Sequence, residues 1–230
     1  MHYETIFFDL DHTLWDFNTN SFEALTELSQ KYKLTEKGVN SVNTFIEEYL
    51  VINDRLWVQY RNGLITKEEL RYKRFSLALQ KYGIADSDLA TAIGNDYIAI
   101  SPYKTNLFPH AIEALEYLSE KYPLHIITNG FEEVQHLKLK NCKLDIYFTE
   151  VITSERSGFQ KPDARMFEFS LTTTNAKQET SLMIGDSLEA DIQGARNSGI
   201  RQIYFNPGSA IHSEKVTHEI KNLNELMTLL

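Results

Sequence analysis

The chain has 230 residues, 42% of them hydrophobic and 24% charged, with 23 Lys+Arg against 32 Asp+Glu and a formal net charge of −9. That acidic balance excludes non-specific binding to a nucleic acid polymer, which needs a basic face to neutralise phosphates. The single cysteine, Cys142, forbids an intrachain disulfide and fits a reducing compartment. No apolar run approaches the roughly 18 residues of a membrane span, and Met1–Thr5 lacks the basic and apolar regions of a signal peptide. A folded, cytoplasmic protein without a membrane partner is expected.

In chain order, Thr5-Ile6-Phe7-Phe8 is the first short apolar run. Its lack of alternation fits a strand covered on both faces, as in a parallel sheet. Residues 17–98 then read as helical throughout. Asn20 with Glu23 and Thr66 with Glu69 have capping-box spacing and predict two helix starts, and Gly83 predicts a stop. Beyond residue 98 the apolar runs return, at 124–127, 148–152, 181–184 and 202–205. Between them Ile112, Leu115, Leu118 and Tyr122 recur at helical spacing behind Pro109, and a further helix is expected over Leu188–Ser198 with Gly199 just past its end. Strand–helix alternation predicts a doubly wound, Rossmann-like α/β fold with a parallel sheet. Residues 1–16 and 99–230 form this core, and 17–98 form a helical insertion of domain size.

Four clusters lie at or just beyond strand ends, where open α/β sheets bind ligands. Asp9-Leu10-Asp11-His12-Thr13-Leu14 carries two carboxylates two positions apart, a spacing that puts both on one face if the strand continues. Thr128-Asn129-Gly130 offers a hydroxyl, an amide and backbone donors for an anion. Lys161-Pro162-Asp163 supplies a cation, with Pro162 suited to the first turn of a helix. Gly185-Asp186-Ser187, with Asp191 following, delivers another carboxylate, and Ser187 is suited to cap the next helix. Taken singly, each has an ordinary structural reading: a polar loop, a strand-to-helix turn, or a solvated charge on a helix, as for Glu189 and Asp191. Taken together they are the inventory for metal-assisted phosphoryl transfer, in which positioning and electrostatics dominate.

With these residues in this order, the chain resembles the haloacid dehalogenase superfamily of phosphohydrolases at all four of its motifs. The resemblance implies that Asp9 is the nucleophile and Asp11 the general acid/base. It implies that Thr128, the backbone around Asn129, and Lys161 hold the phosphoryl oxygens. Mg²⁺ is implied on the carboxylates of Asp9 and Asp186 and the backbone carbonyl of Asp11, with Asp191 orienting the metal site or Lys161. The helical insertion corresponds to a C1-type cap. His12 departs from the pattern, since many members carry Gly or another small residue there.

Asp11 bears on the reaction type, because dehalogenases and phosphonatases of the superfamily characteristically lack it. Hydrolysis of a phosphomonoester is favoured over a phosphomutase, which often has Gly after the second Asp. A silent phosphate-binding protein on the same fold is the non-enzyme alternative. Within the insertion, Arg55, Arg61, Lys67, Arg71, Lys73 and Arg74 stand against Glu68 and Glu69, interleaved with Trp57 and Tyr60. This reads either as a solvated basic face over a cap core or as a surface that draws in a phosphorylated metabolite. Trp15 and Phe17 are candidates to stack on a planar base or to pack against the cap. Trp15-Asp16-Phe17, the stretch 63–71 and Thr128-Asn129-Gly130-Phe131 are similar to the YjjG-type subgroup of pyrimidine 5′-nucleotidases. That similarity implies a nucleoside monophosphate as substrate; phosphoglycolate or a sugar phosphate is the alternative ester.

Overall fold

The computed structural model describes residues 2–230. Six strands form one sheet: β1 (Thr5–Phe8), β2 (Leu124–Thr128), β3 (Phe148–Thr153), β4 (Ser181–Gly185), β5 (Arg201–Phe205) and β6 (His218–Ile220). All neighbouring pairs are parallel, and the order is β3-β2-β1-β4-β5-β6. The helices are α1 (Phe17–Lys31), α2 (Val42–Arg61), α3 (Lys67–Gln80), α4 (Ser87–Ile100), α5 (Ala111–Ser119), α6 (Glu132–Asn141), α7 (Ser154–Ser157), α8 (Ala164–Thr174), α9 (Gly194–Asn197) and α10 (Leu226–Leu229). The chain divides into two compact units, one running to Phe17 and resuming at Thr105–Leu230, the other Asn18–Lys104.

In the first unit, strand residues of opposite parity enter opposite cores, as the two-residue period requires. Ile6, Phe8, Leu124, Ile126, Leu182, Ile184 and Ile203 join a cluster that includes Leu115 and Leu118 of α5. Phe7, Ile127 and Met183 join the other, with Met166 and Phe167 of α8 and Ala195 of α9. Both faces are therefore covered, which is why the strands carry uninterrupted apolar runs. Of the apolar residues that predict the helix after Pro109, Leu115 and Leu118 are interior. Ile112 is exposed, and α5 instead buries Ala111 and Ala114.

The sheet also contains β6, which the sequence does not announce. Only Ile220 of its three residues is buried, so it has neither an apolar run nor an alternation long enough to read. The expected helix over Leu188–Ser198 is interrupted: Leu188–Gln193 is a π-helical segment and only Gly194–Asn197 is α-helical. Gly199 is left-handed (φ 72°) just beyond, as expected. Pro162 lies before its helix rather than within it, because Asp163 caps α8 by accepting from the Arg165 amide at 2.9 Å.

The second unit is helical, as its patterning predicts. The Thr66 hydroxyl accepts from the Glu69 amide at 3.2 Å, and the Glu69 carboxylate accepts from the Thr66 amide at 2.9 Å. Asn20 does not start a helix. It lies within α1, fully buried, so its role is set by the interior and not by an exposed helix end. Among the basic residues of 55–74, Arg74 is only 4% exposed and donates to Asn53 Oδ1 at 3.2 Å. Its guanidinium lies 5.7 Å from the Phe75 ring centroid and 5.4 Å from that of Tyr97. Lys73 is paired with Glu69 at 2.8 Å. Part of the local basic excess is thus internal to this unit, because a buried arginine packs its planar charge on aromatic faces. Among the described residues no helix is long and apolar enough to cross a membrane.

Replacing Thr66 with Ala removes one half of the reciprocal cap and is expected to lower stability by about 0.5–2 kcal/mol. A urea melt followed by circular dichroism measures it; an unchanged midpoint would show that the box contributes nothing to this helix.

Candidate active site

β1 and β4 are neighbours at the point where the strand order reverses, so chain leaving each of them enters the same crevice. The register pairs Phe8 with Ile184, and the Asp9 amide donates to the Ile184 carbonyl at 2.9 Å. Asp9 and Asp186 thereby leave adjacent strand ends together. The strand does not continue through Asp11, so strand periodicity does not set the relation of the Asp-x-Asp carboxylates: β1 stops at Phe8 and a turn follows. In that turn His12 takes a left-handed conformation (φ 65°). Glycine adopts this without a Cβ penalty, and His12 adopts it under the constraint of its neighbours. The His12 amide donates to the Trp15 carbonyl at 3.0 Å.

Lys161 is the centre of the site. Its Nζ donates to Asp9 Oδ1, to Asp191 Oδ1 and to the Ile127 carbonyl, each at 2.6 Å. An ammonium has three donors, and all three are used. Its backbone is held as firmly: the Lys161 amide donates to Asn129 Oδ1 at 2.7 Å, and Asn129 Nδ2 donates to the Lys161 carbonyl at 2.9 Å. The Asn129 side chain therefore fixes the lysine segment and is not an anion donor in this arrangement.

Asp191 is 1% exposed and is no helix-surface carboxylate. Its Oδ1 holds Lys161 and its Oδ2 accepts from the Ser187 amide at 3.0 Å. Glu189, two residues earlier, is exposed. Ser187 caps the turn by accepting from the Ala190 amide at 3.1 Å, and the Ile192 amide reaches back to the Ser187 carbonyl in the wide π pattern. Thr13 donates to Asp186 Oδ1 at 3.2 Å and lies 3.4 Å from Asp9 Oδ2.

Asp9, Asp186 and Asp191 bring one carboxylate oxygen each within 4.8 Å of one another. Burial pushes the Asp9 carboxyl up to about 7, against the pull of Lys161 and with the push of Asp191. Burial, followed by the charges of Asp9 and Asp191, holds Asp186 well above the usual carboxylate range. Burial opposes the Lys161 ammonium, but Asp191 and Asp9 together hold it above the ordinary lysine value. A site of several hard oxygen donors whose burial disfavours negative charge fits a divalent cation, and Mg²⁺ takes such ligands. Asp191 accepts a protein donor on each oxygen, from Lys161 and from the Ser187 amide, whereas Asp9 and Asp186 directly follow the ends of β1 and β4.

Asp11 belongs to a separate network. Its Oδ1 accepts from Lys138 Nζ and its Oδ2 from Gln135 Nε2 at 3.0 Å. Gln135 Nε2 also donates to Thr128 Oγ1 at 2.7 Å, and the Gly130 amide donates to the same oxygen at 3.1 Å. Thr128 Oγ1 thus accepts twice, and its own proton remains to be donated. Lys138, Gln135 and Thr13 are residues that sequence reasoning misses. A lysine and a glutamine in a charged stretch read as solvated, and only the i, i+3 spacing of Gln135 and Lys138 could have suggested a shared face.

Trp15 does not serve as a stacking platform for a base. It is 1% exposed, bridged to Asp11 and Leu107 in the backbone, with its ring 4.0 Å from Lys138 Nζ. Phe17 is partly buried, its ring 4.6 Å from that of His12 and 6.1 Å from that of Trp15. Cys142 is buried, and burial pushes its thiol up to about 11, away from the thiolate form.

Residues 6–205 match the family described as haloacid dehalogenase-like hydrolase. The chain is 34% identical to the pyrimidine 5′-nucleotidase PynA of Streptococcus pneumoniae, over 100% of this chain and 96% of that protein. It is 31% identical to the pyrimidine 5′-nucleotidase YjjG of Escherichia coli, over 100% and 99%. Among solved structures it is similar to the putative hydrolase YfnB of Bacillus subtilis bound to magnesium. There the TM-score is 0.90 at 30% identity, covering 100% of this chain and 99% of that one.

A Cβ on Gly185 would stand 2.3 Å from Asp191 Oδ2 and 2.4 Å from its carboxyl carbon. Gly185→Ala is therefore expected to displace the buried carboxylate that holds Lys161 and to destabilise by about 1–3 kcal/mol. Denaturant unfolding measures this, and a variant as stable as the parent would show that Asp191 has room to move.

Proposed function

The chain belongs to the haloacid dehalogenase-like hydrolase family, and from that membership we propose that it is a Mg²⁺-dependent phosphomonoester hydrolase acting on a nucleoside 5′-monophosphate. The carrying observation is the convergence of Asp9, Asp186 and Asp191 on one point, with Lys161 buried among them. The nucleotide as substrate is supported by the two pyrimidine 5′-nucleotidases to which the chain is similar along its whole length.

In this reading an Asp9 carboxylate oxygen attacks phosphorus while the bond to the ester oxygen breaks, and Asp11 gives its proton to that oxygen so that an alcohol departs. Water then attacks the aspartyl-phosphate, Asp11 takes the water proton, and the bond between Asp9 and phosphorus breaks to release inorganic phosphate. Both carboxyl groups return to their starting protonation. Thr128 has a hydroxyl proton for a phosphoryl oxygen. Lys161 keeps its positive charge against the nucleophile, and the backbone beside Asn129 supplies further donors. Mg²⁺, when bound by Asp9, Asp186 and the backbone carbonyl of Asp11, neutralises charge on the phosphate and the carboxylates. Asp191 holds Lys161 and the Ser187 amide rather than the ion.

The helical unit, which enters the chain between β1 and β2, corresponds in this reading to the C1-type cap that selects the leaving group. The core of the proposed enzyme is then the unit built on the sheet. The lone, buried Cys142 supports a cytoplasmic setting, and the similarity to two nucleotidases supports a small phosphorylated metabolite as partner.

Phosphate release with Mg²⁺ should be faster for nucleoside monophosphates than for sugar phosphates or phosphoglycolate, and chelation of the metal should abolish it. Sugar phosphates ranking first would remove the nucleotidase reading and leave the phosphatase. No turnover of any monoester would remove both, in favour of a silent binding protein. Asp9→Asn should reduce kcat by at least about 10³-fold with the fold intact. Substantial residual activity would exclude Asp9 as nucleophile.

A further inference from the structure

The inward stripe of α6 is unusual in composition. Its buried residues are Gln135, Lys138 and Leu139, only one of them apolar. Lysine is seldom buried unless it is paired, and the Lys138 side chain is only 5% exposed. Its ammonium meets Asp11 Oδ1 and stands 4.0 Å from the centroid of the buried Trp15 ring, so a charge and an aromatic face both hold it. The second oxygen of Asp11 is held from the same helix, one turn earlier, by Gln135 Nε2 at 3.0 Å. Gln135 carries the link onward to Thr128 Oγ1 at 2.7 Å. Space for it depends on Gly130, where a Cβ would stand 2.3 Å from Gln135 Nε2.

We infer that Lys138, assisted by Gln135, is a positioning residue for Asp11, holding its carboxyl group in the orientation that protonates the leaving oxygen. This rests on the reading of Asp11 as the general acid/base. Asp11 lies in a turn beyond the end of β1, where the backbone alone leaves its side-chain torsions free. Two donors from one rigid helix, one on each oxygen, remove that freedom. Each carboxyl oxygen still has capacity for a further bond, so the group is oriented without being blocked. Lys138 acts through Asp11, and its contribution should appear only where the acid is needed.

The test is steady-state kinetics of the full chain with Mg²⁺, using two substrates. One is the best alkyl phosphate from the substrate panel, whose alkoxide must be protonated as it leaves. The other is p-nitrophenyl phosphate, whose phenolate leaves without a proton. Lys138→Met should lower kcat on the alkyl ester by about 10–100-fold, with KM little changed, and on the aryl ester by no more than about 3-fold. Lys138→Arg should recover most of the loss, because it restores a donor and a charge. Equal losses on both esters, or no loss on the alkyl ester, would overturn the inference and leave Lys138 a merely structural ion. Asp11→Asn separates the two levels. If its own losses are equal on both esters, the acid/base reading falls and this inference falls with it. If its losses are selective and those of Lys138→Met are not, only this inference falls. Should Lys138→Met fail to fold by circular dichroism, Gln135→Met removes the other hold and is read in the same way: a selective loss supports the inference and an equal loss overturns it.

Discussion

The three bonds of the Lys161 ammonium are the constraint on which the site depends. Asp9, Asp186 and Asp191 crowd their oxygens together in a largely buried place, where like charges repel strongly and desolvation penalises each of them. A single buried cation touching Asp9 and Asp191 is what the protein itself offers against that repulsion. The offset is incomplete: burial first, and the neighbouring carboxylates after it, hold both Asp9 and Asp186 above the usual carboxylate range. The remaining deficit of positive charge is the physical reason the arrangement suits a divalent ion. Asn129, which holds the lysine's backbone from both sides, and Ser187, which holds Asp191, belong to the same constraint one bond further out.

The sheet makes this convergence possible. Parallel strands all release their chain at one end, and the reversal of order at β1 and β4 sends the flanking connections apart, leaving a crevice between them. Asp9 leaves β1, Asp186 leaves β4, and Thr128 ends β2 on the other side of β1. Residues far apart in the chain become neighbours because of sheet order, not because of local sequence. Burial on both faces makes the strand ends rigid, so the side chains they present are held by two cores at once.

Close packing around small residues completes the site. Gly185 and Gly130 are both places where a methyl group would enter a functional side chain, Asp191 in one case and Gln135 in the other. Neither glycine is explained by a positive φ; the demand is for space. His12 presents the opposite case, a residue with a full side chain held left-handed in the turn between Asp9 and Trp15. The π-helical segment after Ser187 belongs with these features. It carries Asp191 inward from its first turn, to reach Lys161.

By itself the sequence determined the fold class and singled out Asp9, Lys161 and Asp186, which the structure brings together. Buried parallel strands are written as continuous apolar runs, and Asp9, Lys161 and Asp186 follow strand ends where chemistry collects. Thr66 likewise announced its helix through a local, reciprocal bond that needs no tertiary partner. At Asn20 the same local signal misled: the residue has the spacing of a cap but belongs to the interior of α1. Strand β6 was illegible because a single buried residue sets no period. Only the tertiary structure decided that Asp9 pairs with Lys161 and Asp11 with Lys138, and that the buried Trp15 ring packs against Lys138. It also decided that Gln135 and Lys138 face inward. Polar residues on a helix carry no sign of which face will be buried, and that face is chosen by partners 124 and 127 positions away in the chain.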